Sequence, residues 1–292
     1  MKLFARAPGK VNLCLFLGPV RSDGRHEVVT LLESVAVADE LSVAVAGAGT
    51  AVDEVLCAGV KGPNIVARAL AGLREQGWDA PPVRVVIRKR VPLAGGMGGG
   101  SADAAAMLRL AAAIAPVPVA VAAELAASLG ADVPSQLLPG VSIGTGAGEV
   151  VERLDAREGH AFVIVPQPYE LSTAEVYREA DRLGLPRDAA DLSARHRELL
   201  SAVCSGAYLL GNDLEPAALS LRPDIGRALH TLRDSGADHA MVSGSGPTVF
   251  ALCTGADAHA RADTVAARLA ARYPGATSAA PVGEEFGAPR GS

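Results

Sequence analysis

A glycine-rich segment between a strand and a helix constrains this chain more than any other feature. Five of the six residues over 95–100 are glycine, after a β-branched run over 83–90 that predicts a strand. Apolar residues then recur at helical spacing over 104–115. Glycine removes the Cβ atoms that keep a ligand away from the backbone, and a helix start presents free N–H groups with partial positive charge. The order strand, glycine loop, helix therefore predicts a phosphate-binding loop.

Two familiar phosphate loops do not fit this segment. The dinucleotide-binding pattern G-x-G-x-x-G requires a third glycine at the position of Ser101, after Gly96 and Gly98. The P-loop spacing from Gly95 to Gly100 is present, but Ser101 takes the place of the required lysine. A flexible linker is the plain alternative, and linkers rarely lie between a clear strand and a clear helix. A phosphate loop of a third kind is the preferred interpretation.

The length and charge of the chain limit its domain number and its partners. A chain of 292 residues is long for one core, so we expect two domains, at 1–154 and 155–292. The net charge of −5 argues against a nucleic-acid partner. The most apolar long stretch, over 110–133, is broken by Pro116, Pro118 and Glu124, which predicts two helices and no membrane association.

The N-terminus and the cysteines favour a cytoplasmic protein. The opening MKLFARAPGK is too polar for a signal peptide. The four cysteines lack metal-ligand or redox spacing, which is typical of reduced, buried thiols. We expect a monomer or a homodimer.

Alternating apolar residues predict a strand near the N-terminus. After a break at Pro8 and Gly9, apolar side chains alternate over 11–17, so one face of the strand is expected in the core. The alternation puts Asn12 on the opposite face, and Lys10 lies at the break. From this stretch alone, a solvated lysine at a strand edge is the commoner alternative for Lys10.

Three polar residues have both a structural and a functional interpretation. His26 follows an aspartate-glycine turn, and a lone histidine is more often structural than catalytic. Asn64 opens a predicted helix over 64–72, where it caps the helix or contacts a ligand. Asp132 follows a helix over 119–129 that Gly130 is expected to end as a C-cap, and it either caps the next turn or acts as a base in a cleft. Capping is the commoner role for Asn64 and Asp132.

The second half of the chain alternates strands with helices. Residues 140–148 are expected as a glycine-rich turn region, and an Arg-rich connection is expected after a helix that starts at a capping-box serine, Ser172. The order β-α-(helical insert)-α-β-β-α-β predicts helices layered on an antiparallel sheet, as in ferredoxin-like folds. The predicted strands are 161–165, 239–243, 248–253 and 277–282, and the predicted helices are 172–183, 224–234 and 256–272.

Three motifs stand in order along the chain. They are APGKVNL at 7–13, PLAGGMGGGSADAAA at 92–106 and SGSGPTVFAL at 243–252. Together they resemble the superfamily of galactokinase, homoserine kinase, mevalonate kinase and phosphomevalonate kinase. The resemblance implies an α+β fold with an N-terminal domain like the second domain of ribosomal protein S5 and a C-terminal ferredoxin-like domain. It also implies that the middle motif binds the phosphates of ATP and that the outer two complete the cleft.

Finer features resemble the branch of this superfamily that phosphorylates a cytidine diphosphate-linked alcohol. These features are PGKVNLCLFLGPVRSDGRHEV, GMGGGSADAA, LGADVP and GNDLEPAAL, and the resemblance spans 3–282. It implies an ATP-dependent kinase in which Mg²⁺ accompanies ATP and the acceptor is a small molecule carrying cytosine. A kinase of the homoserine or mevalonate type and a non-catalytic nucleotide-binding relative are the alternatives.

The resemblance assigns roles to individual residues. Asp132 matches the catalytic aspartate and Lys10 the catalytic lysine. Asn12 and His26 match substrate contacts, with His26 near the cytosine, and Arg25 takes the place of an aromatic residue that stacks there. An arginine plane can also stack on a base. The matched ATP-binding residues are Asn64, Pro92, Gly95, Gly96, Met97, Gly98, Gly99, Gly100, Ser101 and Ala102, and those of the third motif are Gly244, Ser245 and Gly246.

Three positions remain open within this resemblance. Ser101 is a candidate ligand for Mg²⁺, although the sequence shows no dedicated carboxylate cage. Tyr169 and Tyr177 are the candidates for a second aromatic wall beside the cytosine.

Overall fold

Two β-sheets with helices packed on them make up this computed structural model, which describes residues 2–47, 51–60 and 62–291. The strands are β1 (Lys2–Val20), β2 (His26–Val45), β3 (Glu54–Cys57), β4 (Val83–Arg88), β5 (Val141–Thr145), β6 (Val150–Leu154), β7 (His160–Val165), β8 (Gly211–Asn212), β9 (His239–Val242), β10 (Val249–Thr254), β11 (Thr277–Ala279) and β12 (Arg290–Gly291). The helices are α1 (Ile65–Glu75), α2 (Gly99–Ile114), α3 (Val119–Leu129), α4 (Val133–Leu137), α5 (Thr173–Arg182), α6 (Ala189–Ser205), α7 (Glu215–Leu221), α8 (Asp224–Arg233), α9 (Ala258–Leu269) and α10 (Glu284–Gly287). No helix in the described ranges is both long and apolar enough to cross a lipid bilayer.

The first sheet is built mainly by the N-terminal half of the chain. Its strands follow the order β12-β1-β2-β4-β3, and a hairpin of β5 and β6 joins it at β2. β1 and β2 form a long antiparallel ladder. β8 pairs in parallel with Cys14 and Leu15 of β1, and β12 pairs with its start. Because β8 and β12 return to this sheet, the division at residue 154 stays a prediction.

The N-terminal strand differs from its prediction in two ways. The break at Pro8 and Gly9 does not end β1, because the strand continues through a register shift between Pro8 and Lys10. Both faces of β1 are buried, not one. Leu15 packs in a cluster with helices of the C-terminal half, whereas Phe16 packs in a cluster that includes the second sheet. The C-terminal half therefore covers side chains that alternation alone predicts to face away from the core.

The second sheet is antiparallel, in the order β11-β7-β10-β9. Its strands and the helices between them follow the predicted ferredoxin-like order. His160 of β7 and Glu33 of β2 form a buried pair, with 3.0 Å between Nε2 and Oε1. This pair joins the two sheets through their interiors.

Two connecting segments are more regular than the sequence predicts. The expected Arg-rich connection contains α6, because the Asp188 side chain accepts a hydrogen bond from Asp191 N at the helix start, and Leu192 and Leu199 are buried. The expected turn region over 140–148 contains β5, which pairs with Thr30–Glu33 of β2. The sequence does not predict this strand because small residues interrupt the apolar pattern. The strand is stabilised by pairing with β2.

Candidate active site

The glycine loop lies between β4 and α2, where the sequence places it. Gly96 and Gly98 have φ of 75° and 66°, in the left-handed region that favours glycine. Gly98 is the N-cap of α2, and no side chain among the described residues caps this helix start. The first N–H groups of α2 are therefore free to bind an anion.

A cavity of about 660 Å³ opens over this loop. Residues of all three sequence motifs and of the Asp132 turn line it together. The predicted site residues that line it are Lys10, Asn12, Asn64, Pro92, Gly95, Gly96, Gly98, Gly99, Gly100, Ser101, Asp132, Gly244 and Ser245. Five predicted site residues are not part of its lining: Arg25, His26, Met97, Ala102 and Gly246. Met97 and Ala102 instead point into the core, where they are fully buried.

Lys10 is held from three sides at the centre of the cavity. Its Nζ donates hydrogen bonds to Asn12 Oδ1 at 2.7 Å and to Gly96 O at 2.8 Å, and it lies 3.6 Å from Asp132 Oδ2. Its backbone N donates to Met97 O at 2.9 Å. Lys10 is only 4% exposed, so the solvated-lysine alternative is wrong.

Asn12 is itself fixed by its neighbours. Its Nδ2 donates to Thr30 Oγ1 at 2.8 Å, and that hydroxyl donates to Cys14 O at 2.7 Å. The Thr30 hydroxyl is committed as a donor, so it can only accept from the Asn12 amide. This fixes the Asn12 oxygen toward Lys10 and gives the lysine one defined position.

Asp132 does not cap α4, contrary to the commoner interpretation of its position. Its backbone is helical, with φ −83° and ψ −10°, and its side chain makes no capping hydrogen bond. The side chain is 37% exposed and faces Lys10. The C-cap prediction for Gly130 is confirmed, because Gly130 follows the last residue of α3 and its N–H donates to Ala126 O at 3.3 Å, although its φ of 168° is extended rather than left-handed. Asp132 is therefore a carboxylate placed in the cavity beside a buried ammonium group.

The third motif packs directly on the phosphate loop. The Ser243 hydroxyl donates to Gly96 O at 3.1 Å, and Thr248 N donates to Gly95 O at 3.3 Å. A Cβ atom on Gly244, whose φ is 56°, would lie 3.0 Å from Asn12 Oδ1. The two glycine motifs, far apart in sequence, therefore form one continuous wall of the cavity.

The residues predicted near a cytosine lie outside the cavity lining, although His26 contacts the lining residue Tyr177. His26 is buried, its Nδ1 donates to Gly18 O at 2.9 Å, and its Nε2 lies 3.1 Å from Asp181 Oδ1. Arg25 donates through Nε and Nη2 to Asp23 Oδ2, at 3.1 and 2.9 Å. Both side chains are thus committed to contacts within the protein in this structure.

Tyr177 and Tyr169, the two candidate aromatic walls, have different surroundings. Tyr177 lines the cavity, with its ring centroid 5.6 Å from that of His26. Burial and the nearby charge of Asp132 raise the pKa of Tyr177 to about 12. Tyr169 is not part of the lining, and Arg222 lies over its ring at 4.5 Å.

Asn64 caps α1, as its position predicts. Its Oδ1 accepts a hydrogen bond from Val66 N at 2.8 Å. Asn64 also lines the cavity, so the capping side chain stands beside any ligand bound there. Ser172, in contrast, makes no capping hydrogen bond at the start of α5.

The sequence analysis misses a buried cluster of ionisable side chains, two of which, Lys89 and Asp103, also line the cavity. Lys89 Nζ contacts Asp39 and donates to Asp103 Oδ2 at 2.7 Å, while Asp39 also accepts from Val91 N at 2.8 Å. Burial raises the pKa of Asp103 to about 7, with Lys89 opposing and Asp39 reinforcing the shift. The only sequence signal is the scarcity of lysine, which makes Lys89 beside a motif informative.

Family models match two segments of the chain. The model described as GHMP kinases N terminal domain matches 64–140, and the one described as GHMP kinases C terminal matches 189–275. These two segments contain the phosphate loop, Asp132 and the third motif.

Relatives with similar sequences carry one name. A 4-diphosphocytidyl-2-C-methyl-D-erythritol kinase of Corynebacterium efficiens is 40% identical over 270 residues, covering 87% of this chain and 85% of the relative. One of Mycolicibacterium gilvum is 42% identical over 269 residues, covering 87% of this chain and 82% of the relative.

Solved structures share the fold along nearly the whole chain. A crystal structure of 4-(cytidine 5'-diphospho)-2C-methyl-D-erythritol kinase is 30% identical, with a TM-score of 0.75, and the match covers 96% of this chain and 99% of that one. A homoserine kinase of Cytophaga hutchinsonii is 18% identical with a TM-score of 0.69, covering 99% of this chain and 96% of that one, which is a likeness of fold.

Proposed function

The chain belongs to the GHMP kinases, and we propose that it transfers the γ-phosphoryl group of ATP to the 2-hydroxyl of 4-diphosphocytidyl-2-C-methyl-D-erythritol. The product is the 2-phosphate, a precursor in the non-mevalonate route to isoprenoids. The observation that carries this proposal is the placement of Lys10 and Asp132 opposite the glycine loop in one cavity. The chain that has this geometry is 40% identical, over most of its length, to a relative named as such a kinase.

Phosphoryl transfer needs alignment and charge neutralisation more than covalent help. The free N–H groups at the start of α2 suit the β- and γ-phosphates of ATP. The Asp132 carboxylate accepts the proton of the acceptor hydroxyl as its oxygen bonds to the γ-phosphorus. The bond between that phosphorus and the β,γ-bridging oxygen breaks, and ADP leaves. Lys10 stabilises the negative charge that develops on the transferring phosphoryl group.

Mg²⁺ fits this site as an ion carried by the nucleotide. No group of three histidine, cysteine or acidic side chains in the described ranges is arranged to hold a metal. Ser101, at the start of α2, lines the cavity and would supply one hydroxyl ligand, and the ATP phosphates would supply the oxygen ligands that Mg²⁺ prefers. When bound, the ion neutralises phosphate charge.

The cytosine side of the proposal is supported mainly by Tyr177. This ring lines the cavity next to His26, so we assign it as the aromatic wall that the C-terminal half supplies. Arg25 remains a candidate for the opposite wall, with its guanidinium group held by Asp23. The proposed location is the cytoplasm, and the proposed assembly is a monomer or a homodimer.

Acceptor choice tests the function. Purified protein with ATP and Mg²⁺ is assayed for ADP release with 4-diphosphocytidyl-2-C-methyl-D-erythritol, homoserine and mevalonate in parallel. Release with only the cytidylyl acceptor is expected. Release with only another acceptor would keep the kinase chemistry and overturn the substrate, and tight ATP binding without release would indicate a non-catalytic relative.

A further inference from the structure

A short segment of the C-terminal half crosses to the first sheet beside the active site. In this segment, β8 pairs in parallel with Cys14 and Leu15 of β1, immediately after the strand has placed Lys10 and Asn12. The next residue, Asp213, donates its backbone N–H to Leu15 O at 2.9 Å. The segment is therefore in register with the strand that carries the catalytic lysine.

The Asn212 side chain joins this segment to the third glycine motif. Its Nδ2 donates to Val242 O at 2.9 Å and to Gly244 O at 2.7 Å. Its Oδ1 accepts from Leu214 N at 2.9 Å, at the start of α7. One amide thus satisfies the Gly244 carbonyl of the motif, the Val242 carbonyl just before the motif and the N–H of Leu214, the N-cap of α7. Its orientation is fixed because each of these groups has only one possible polarity.

Gly244 is the point at which the third motif meets the catalytic residues. A Cβ atom on Gly244 would lie 3.0 Å from Asn12 Oδ1, 3.2 Å from Gly96 O and 3.3 Å from Lys10 Nζ. The motif therefore cannot approach Lys10 more closely, and movement of Gly244 away from Lys10 would open the wall of the cavity. A small displacement of Gly244 changes the surroundings of both Lys10 and the phosphate loop.

The crossing segment is anchored independently of Asn212. The Asp213 carboxylate accepts hydrogen bonds from Leu17 N at 2.9 Å and from Arg187 at 2.6 and 2.8 Å. These contacts hold the segment on β1 from its other side. Substitution of Asn212 is therefore expected to release the third motif while the segment stays in place.

We propose that Asn212 is a positioning residue for phosphoryl transfer, because it holds Gly244 in register with Lys10 and the phosphate loop. This positioning role rests on the proposed kinase function of the cavity. It can be tested with whichever acceptor alcohol supports ADP release. Asn212 is not part of the cavity lining, so its effect on the reaction passes through the backbone of the third motif.

The test compares Asn212→Asp with Asn212→Ala. The aspartate keeps an oxygen for Leu214 N but loses both donors, and its carboxylate faces two carbonyl oxygens. The alanine loses the donors and the acceptor. We expect kcat to fall by about ten- to hundredfold in both variants, the scale for misplaced catalytic groups, with the Kd for ATP changed much less. Gln167→Glu is the matched control, because Gln167 Nε2 donates to a single carbonyl, Val165 O, away from the cavity.

Hydrogen exchange supplies a readout besides activity. Amide exchange over 243–248 is expected to accelerate in Asn212→Asp, while exchange in α2 stays as in the unmodified protein. If Asn212→Asp does not fold, Asn212→Ser, which retains one donor, takes its place in the comparison.

The outcomes separate the two proposals. An unmodified protein without ADP release from any acceptor would overturn the proposed function. An active unmodified protein with an equally active Asn212→Asp variant would overturn only the positioning role. Full activity in Asn212→Asp together with lower stability in Asn212→Ala would overturn the positioning role. It would show that Asn212 acts only by accepting the hydrogen bond from Leu214 N at the start of α7.

Discussion

Gly96→Ala is expected to destabilise the protein through the contact between its two glycine motifs. Gly96 has φ of 75°, where a side chain costs about 1–2 kcal/mol. A Cβ atom there would overlap the Ser243 carbonyl oxygen and lie 2.8 Å from Gly246 N and 3.0 Å from Gly246 O. All three atoms are backbone, so relief requires the third motif to shift, at about 1–3 kcal/mol. The expected loss in the free energy of unfolding is therefore about 2–5 kcal/mol.

Gly100→Ala is the matched control, because the same chemical change meets no obstacle there. Gly100 lies in α2, and the nearest atom to its Cβ position is Ile65 Cγ2 at 3.8 Å. Alanine is favoured over glycine by about 0.5–1 kcal/mol in the middle of a helix, and Gly100 lies in the first turn of α2, so this variant is expected to be at least as stable as the unmodified protein. Urea unfolding followed by circular dichroism gives both values. Equal stability of the two variants would refute the packing of the third motif on Gly96.

Two further predictions concern buried ionisable side chains. Glu33→Ala leaves the buried His160 ring without its partner and is expected to lower the free energy of unfolding by about 1–3 kcal/mol, measured by urea unfolding; an unchanged midpoint would contradict a joining role for this pair. Asp103 has a pKa raised to about 7 by burial, against about 3.9 in an unfolded chain. Between these values the folded state keeps a proton that the unfolded state releases, so rising pH lowers stability across this window. Asp103→Asn removes this dependence, and its stability relative to the unmodified protein is expected to increase from pH 4 to pH 8; a constant difference would show that Asp103 does not titrate there.

The sequence predicts the local parts of this site well. The glycine loop and the helix after it follow from backbone requirements that act within a few residues, and their positions are confirmed. The family predicted from the three motifs is also confirmed, because GHMP kinase models match 64–140 and 189–275 and a named relative is 40% identical over most of the chain. Asn64 likewise caps its own helix, an interaction that the adjacent sequence specifies.

Contacts between distant residues are less accessible from the sequence. The capping interpretation of Asp132 fails because Lys10, far away in the chain, makes the cavity position favourable. The Asn212 side chain donates hydrogen bonds to the backbone carbonyls of residues 242 and 244. Because every residue has a backbone carbonyl, the residue types at these positions do not predict the interaction. Lys89 shows the same limit, since its two acidic partners lie on different elements.

The transfer rate of Asp132→Asn tests the central claim most directly. The substitution keeps the size of the side chain and removes its ability to accept the hydroxyl proton. With saturating ATP, Mg²⁺ and 4-diphosphocytidyl-2-C-methyl-D-erythritol, the rate of ADP release is expected to fall by about 10²–10⁴-fold, with the fold and ATP binding retained. A variant that released ADP at nearly the unmodified rate would contradict the role of Asp132 as the base.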